Sequence, residues 1–419
     1  MNTNLEIQIV LIRYFGVFLS ALISLLSIKV FLTFAPHESS IYLGIIGWLL
    51  FIPLFQFGYG RPGYALIRSE SINKSNNIGA YVNNLKNLYS KQSALSVFCL
   101  CLMALFLSIN NNFIGNFLNP LIFALAVGSH ASCNLMRDLS YATDTEKYYE
   151  SFETLRRFCI LLMYFGIFNG IDIKISSIFV IFVNCATFYL MTYIIENKYK
   201  DFQSSITPTE GYLENIKSNS LKYFGFSSFE VIFYNIPLII FTFFPSSEGM
   251  IFYSIWSKCF LFLALPYRIY VDTKMNSIIT SYLKQNFTQT KKIINNCIFI
   301  SAFIGVIVMV VFLLCKSYIA IFLGDNFVIS SNYFILSLML WMIGNIIQHI
   351  FGSFTISYGN GFKSALKISF YTVAIIFVVI ISIFLFFNDI GLALLSAGIV
   401  YIFMAFLYKK HFNNALKSK

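Results

Sequence analysis

Charge is what this chain has least of. Only 11% of its 419 residues are Asp, Glu, Lys or Arg, against roughly a quarter in soluble domains, and a water-facing surface cannot be assembled from so few. That scarcity excludes a soluble enzyme, a disordered tail or a nucleic-acid module as the main body, because no segment between the apolar runs is long enough to hold a core of its own. Metal and redox signatures are missing too: there is no CxxC, and no histidine stands at zinc-ligand spacing from a cysteine. The eight thiols (Cys99, Cys101, Cys133, Cys159, Cys185, Cys259, Cys297 and Cys315) fall mostly inside apolar runs and read as buried, reduced packing residues. No metal site and no cofactor are expected. No GxxxxGK[ST], HExxH, GxSxG or DxD stands in a loop, so ATP hydrolysis and hydrolytic catalysis find no support, and the chain is not expected to be an enzyme. The first apolar run lacks a small-residue cleavage site and is expected to be a retained helix.

Apolar residues make up 58% of the chain, with 48 Phe and 26 Tyr, and the mean hydropathy is +0.74. They fall in runs near the length that crosses a hydrocarbon core of roughly 30 Å. The runs predict helices over residues 14–34, 41–59, 94–109, 117–136, 158–171 and 176–195, then 223–244, 250–271, 296–314, 333–357, 368–387 and 391–408. The net charge of +11 belongs to the connections: with twelve spans, 25 of the 29 Lys and Arg fall on one side, Arg156 and Arg157 among them, and only Lys174 and Lys316 on the other. By the positive-inside bias, both termini are then cytoplasmic in a bacterial inner membrane. Equivalent helices of the two halves start about 202 to 216 residues apart, the spacing of a duplicated six-helix unit. The expected organisation is all-α and polytopic, with twelve transmembrane helices in two six-helix lobes around a central cavity. Residues 1–200 form one lobe, 201–222 a cytoplasmic linker, 223–408 the second lobe and 409–419 a basic tail. Connections 78–92 and 276–295 read as surface-lying amphipathic segments or solvated linkers.

A charge at mid-membrane costs about 2.5 to 3.5 kcal/mol on insertion scales, which makes it a functional candidate. Lys29, Glu230 and Lys258 qualify, and no arginine does. Lys258 lies eight residues from the outer end of its helix, ~12 Å deep, where an ammonium no longer reaches the headgroups easily; Lys29 is shallower. Glu230, followed by Asn235 and a helix-breaking Pro237, suggests an ion-coupling site, or a carboxylate that simply neutralises Lys258. Arg61 and Arg268 end corresponding helices, as anionic-headgroup contacts or as ordinary anchors. His130 and His349 occupy near-equivalent positions, beside Asn134, Asn345 and Gln348, and serve either substrate contact or packing. The aromatic excess is no argument for sugar stacking, since Phe, Tyr, Ile, Asn and Lys are together what an AT-rich coding sequence would supply.

FGYGRPGYALIRS (57–69), IFLGDNF (321–327), SYGNGFKSALK (357–367) and NDIGLALLSAG (388–398) resemble segments of the polysaccharide repeat-unit (O-antigen) flippases of the multidrug/oligosaccharidyl-lipid/polysaccharide exporter superfamily. The resemblance implies two six-helix lobes around a cationic cavity and movement of undecaprenyl-diphosphate-linked oligosaccharide from the cytoplasmic to the periplasmic leaflet by alternating access. It also implies a proton or sodium ion as coupling partner, and a polymerase and a chain-length regulator as protein partners, with no nucleic acid. Lys258, Lys29, Arg61, Arg268, His130 and His349 would then contact substrate, and Glu230 and Asn235 the ion. Two other classes stay open: an O-antigen polymerase or membrane glycosyltransferase, which needs a larger outer loop than the 17 residues 316–332, and a small-molecule efflux transporter of the same superfamily.

Overall fold

The computed structural model describes residues 3–51, 78–111, 113, 117–198, 224, 228, 231–243, 247–283, 285–323, 332–358 and 362–417, and all regular structure among them is helical. The chain divides into two compact units, Met1–Val231 and Ile232–Lys419. The first holds α1 (Thr3–Phe34), α2 (Ser39–Trp48) with a 3-10 turn at Leu49–Phe51, α3 (Ile78–Asn110), α4 (Leu118–Gly128), α5 (His130–Ala142), α6 (Glu146–Phe168) and α7 (Ile173–Lys198). The second holds α8 (Val231–Phe243) from its second residue on, α9 (Ser247–Leu283), α10 (Phe287–Leu323), α11 (Asn332–Tyr358), α12 (Phe362–Phe387) and α13 (Ile390–Lys417).

Among the described residues, α3, α7 and α9 to α13 contain stretches long and apolar enough to cross a membrane; shorter apolar helices occupy Phe18–Phe34, Ser39–Trp48, Leu118–Cys133 and Val231–Phe243. With α6, which packs against α7, the expected twelve are accounted for, α4 and α5 forming one interrupted span. Outward faces match that reading: along α10, Phe299 is 74% exposed and Leu314 73%, apolar surface that water would penalise at about 25 cal/mol per Å² and that lipid accepts.

Several expected boundaries are corrected. The helix predicted over 158–171 begins at Glu146; Glu146, Lys147, Glu150, Glu153, Arg156 and Arg157 hide its first three turns from any hydropathy count. Segment 78–92 is neither a surface-lying helix nor a linker, because it continues straight into the span of α3, a helix of 33 residues. Segment 276–295 likewise divides between the ends of α9 and α10, 37 residues each. At about 1.5 Å per residue each is ~55 Å long, well beyond the hydrocarbon thickness. The turn between them is closed by Gln285 at φ +57 and by Ser281 Oγ–H donating to the Asn286 carbonyl at 3.3 Å. Lys316, expected in an outer loop, lies within α10, and the expected basic tail continues α13 as far as Lys417. Pro237 does not break α8; the interruption falls instead at Ser129, between α4 and α5. All eight cysteines are free, but only Cys133, Cys259 and Cys297 are buried as expected; Cys99, Cys101 and Cys159 are half-buried, and Cys185 and Cys315 are exposed, which an apolar helix face directed at lipid permits.

In the C-terminal unit, α11 and α13 approach through glycines. A Cβ at Gly344 would stand 2.7 Å from the Tyr401 ring, and one at Gly398 3.0 Å from Leu340 and Trp341, the close contact by which membrane helices associate without a hydrophobic driving force.

Candidate functional site

Each unit contains a buried polar cluster. In the C-terminal unit, α8, α9, α11 and α13 converge on Asn345, which is 1% exposed. Its Oδ1 accepts from the Tyr267 hydroxyl at 2.8 Å and from Arg268 Nε at 2.9 Å, and its amide donates to the Tyr234 hydroxyl and, at 3.4 Å, to that of Tyr401. The Tyr234 and Tyr401 hydroxyls share a hydrogen bond of 2.8 Å, and Tyr401 donates on to Gln348. The Arg268 guanidinium lies 5.5 Å from the Tyr234 ring centroid, in cation–π range. Trp256, Trp341, Phe233 and Phe260 wall the cluster at ring separations of 4.5 to 6.2 Å. Polar groups in an apolar medium must be satisfied internally, and a network this connected fixes the four helices against one another while holding a permanent positive charge among aromatic faces.

In the N-terminal unit the centre is Glu153 on α6, 1% exposed. Arg156, 3% exposed, grips it with two parallel bonds, Nε to Oε2 at 2.8 Å and Nη2 to Oε1 at 2.6 Å. Arg157 adds a third, Nε to Oε1 at 2.8 Å. The remaining Arg156 nitrogen, Nη1, donates to Asn184 Oδ1 at 3.1 Å. Asn184 Nδ2 in turn donates to the Ala126 carbonyl at 3.2 Å and to Ser129 Oγ at 2.7 Å. The Asn184 side chain thus ties the interruption between α4 and α5 to the ionic pair on α6. Because Asn184 sits near the middle of α7, a helix apolar and long enough to span, Arg156 lies at mid-span depth and not in a cytoplasmic connection.

The sequence candidates distribute unevenly over these clusters. Arg268 is a member of the first and stands three residues before the end of the apolar stretch Glu248–Val271, although the helix α9 itself runs on to Leu283. Asn235, 3% exposed, borders the same cluster and accepts from the Tyr253 hydroxyl at 3.0 Å. His349 is half-buried on α11, one residue beyond Gln348. His130 begins α5 beside the second cluster, its Nδ1 buried without a hydrogen-bond partner. Lys29 and Lys258 are half-buried in α1 and α9 with no hydrogen bond or ion pair among the described residues. Arg61 with the whole of segment 57–69, and Glu230, lie outside the described residues. Sequence reasoning missed Glu153, Arg156, Arg157 and Asn184, although the i, i+3, i+4 spacing of Glu153 with the two arginines is itself a helical ion-pair signal.

No family model matches the sequence, and no curated protein matches it. Solved structures do. A multidrug resistance MATE family transporter of the MOP superfamily, in its inward-facing conformation, superposes with a TM-score of 0.71 at 12% identity over 99% of both chains. The same comparison with an outward-facing conformation gives 0.67 at 12% identity over 99% of this chain and 96% of that one. The Vibrio cholerae MATE transporter VcmN in its bent form gives 0.68 at 13% identity over 99% and 98%. At such identities the likeness is one of architecture, and it extends end to end: this chain has the fold of the MATE transporters.

Proposed function

We propose that the chain is an alternating-access exporter of amphipathic substrates, small-molecule efflux being the form its fold supports best. The observation that carries this reading is the end-to-end likeness to multidrug exporters in both inward- and outward-facing conformations. Lys258 and Lys29 contact the substrate: an ammonium in a span costs several kcal/mol unless a counter-charge, ligand or water compensates it, and neither lysine has a partner among the described residues. Arg268, His130 and His349, with Arg61, complete the contacts, and a proton or sodium ion at Glu230 and Asn235 supplies the driving force. The membrane is the bacterial inner one with both termini cytoplasmic, which reporter fusions at each end test directly. Expression in a strain stripped of its own efflux pumps should lower dye accumulation and raise drug tolerance, and Lys258→Ala should abolish both at unchanged protein level. Unchanged accumulation of every compound in a broad panel would remove the efflux reading.

Lipid-linked glycan flipping is the second reading, favoured by the four segments quoted above and by the two lysines that have no partner among the described residues, which suit an anionic cargo. A strain lacking the gene should then accumulate lipid-linked single repeat units on the cytoplasmic leaflet, and re-expression should restore surface glycan.

A further inference from the structure

The C-terminal unit is polarised along its helices. Its acidic residues are Glu248, Asp272, Asp325 and Asp389; Glu248 opens α9, Asp389 precedes α13 and Asp325 follows α10 in the chain, all on one side of the helix alternation. On the other side, segment 272–295 turns α9 into α10 with four lysines, Lys274, Lys284, Lys291 and Lys292, against Asp272 alone. Lys274, Lys291 and Lys292 are exposed, and no hydrogen bond or ion pair engages them among the described residues. Side-chain bonds close the turn that carries them: the Thr290 and Ser281 hydroxyls meet at 3.2 Å, and Asn286 caps α10 by accepting from the Gln289 backbone N–H at 3.1 Å. The Thr290–Ser281 contact also sets the register of the two antiparallel helices, placing Val271, where the apolar stretch of α9 ends, level with Ile300. Beyond that level Lys274 stands ~4.5 Å, Asn296 and Asn295 ~6 to 7.5 Å, and Lys292 and Lys291 ~12 to 13.5 Å. The polar layer on each face of a bilayer is about 5 to 7.5 Å thick, so Lys274 and the two amides lie within it and the two remaining ammonium groups reach back to it on flexible stems. Lys292, Asn296, Phe299 and Phe303 follow one another at helical spacing, and all four are exposed. The outward face of α10 thus changes from aromatic to amide to cationic at the depth where a phospholipid changes from acyl chain to glycerol to phosphate.

We propose that the α9–α10 hairpin is a docking site for an anionic phospholipid of the surrounding bilayer, with its headgroup held by Lys274, Lys291 and Lys292 and an acyl chain lying along Phe299 and Phe303. The occupant is a lipid of the annulus and not the cargo, because these side chains face outward from the C-terminal unit. Net negative charge selects it: three ammonium groups with one acid nearby gain little from a zwitterionic headgroup and much from an anionic one. An acidic soluble protein would match the lysines but could not follow the stripe down to Phe303, below the level of Val271. The full chain is placed in nanodiscs of phosphatidylcholine, alone or mixed with phosphatidylglycerol, and its lysines are acetylated with an uncharged ester and mapped by mass spectrometry. Lys316, near the opposite end of α10, is the internal reference for the general effect of a charged surface. Phosphatidylglycerol should slow acetylation of Lys274, Lys291 and Lys292 several-fold relative to Lys316, and high salt should abolish the difference. Native mass spectrometry of the detergent-released protein should find phosphatidylglycerol retained over phosphatidylcholine. At about five-fold per lysine, Lys291→Ala with Lys292→Ala should reduce that preference at least ten-fold, and the corresponding double arginine variant should keep it. Equal slowing at Lys316, or an unchanged preference in the double alanine variant, overturns the proposal. Protection of the three lysines in native membrane vesicles but not in phosphatidylglycerol nanodiscs also overturns it and assigns the hairpin to an acidic protein partner. None of these readouts depends on what the chain exports.

Discussion

Replacing Glu153 by Gln tests whether the N-terminal unit depends on its buried ionic cluster. The carboxylate accepts three charge-assisted bonds of 2.6 to 2.8 Å. The amide keeps similar volume and one acceptor oxygen, so the change removes charge with little alteration of packing. Arg156 would then be a sealed cation whose remaining partner is the neutral Asn184. Removing one member of a buried pair costs about 3 to 5 kcal/mol, whereas the quarter-exposed Arg157 adds less than about 1 kcal/mol. At roughly 2 to 4 °C per kcal/mol for a unit of this size, the Tm in detergent should fall by about 10 °C, followed by size-exclusion chromatography after heating. Glu153→Gln combined with Arg156→Gln leaves no uncompensated sealed charge and should regain at least half of the loss, a coupling that a double-mutant cycle reads directly. A Glu153→Gln protein melting within ~2 °C of wild type, or a double variant no better than the single one, would refute the argument.

Asn345→Ala deprives the Tyr267 hydroxyl and Arg268 Nε of their shared acceptor and should cost about 2 to 4 kcal/mol, visible as a lower Tm; a Tm unchanged from wild type would show the network to be incidental. Lys258→Ala should leave Tm within ~2 °C while abolishing export, since no bond among the described residues is lost; a large stability loss with export retained would reverse its assignment. Gly344→Ala places a methyl 2.7 Å from the Tyr401 ring and should destabilise by about 1 to 3 kcal/mol, with Gly398→Ala milder; equal tolerance of both would mean that α11 and α13 separate freely. Lys86→Ala breaks the part-exposed pair with Glu196 and should cost under about 1 kcal/mol, so a drop above ~5 °C would contradict the exposure argument.

What the sequence revealed and what it concealed follow from one physical distinction. Hydropathy reports residues one at a time, so spans that meet lipid on a wide face, such as α10 and α12, were legible in their apolar middles, although α10 extends nine residues beyond the expected bounds at each end. α6 was not, because its six charges count as solvent-facing even where Glu153 and Arg156 cancel each other and never reach water. Lys258 and Lys29 stood out as isolated charges, which is what an apolar context makes visible. Asn184 and Tyr401 did not, because a lone amide or phenol inside an apolar run gives no hint of the partner that another helix brings. The interruption was sought at Pro237 and found at Ser129: a helix accommodates proline when the freed carbonyl is satisfied nearby, while the break at Ser129 is held by the side chain of Asn184, 55 residues further along the chain.

The ionic content of α6 has a consequence for how the protein is made. Leaving the ribosome alone, this helix presents three carboxylates and three cations and is a poor candidate for release into the bilayer. α7, strongly apolar, carries the one amide that completes the arginine's shell. The two must therefore enter as a hairpin, α6 waiting at the insertion machinery until Asn184 has been synthesised. Mutations at that asparagine would then surface first as failed biogenesis and only afterwards as lost transport.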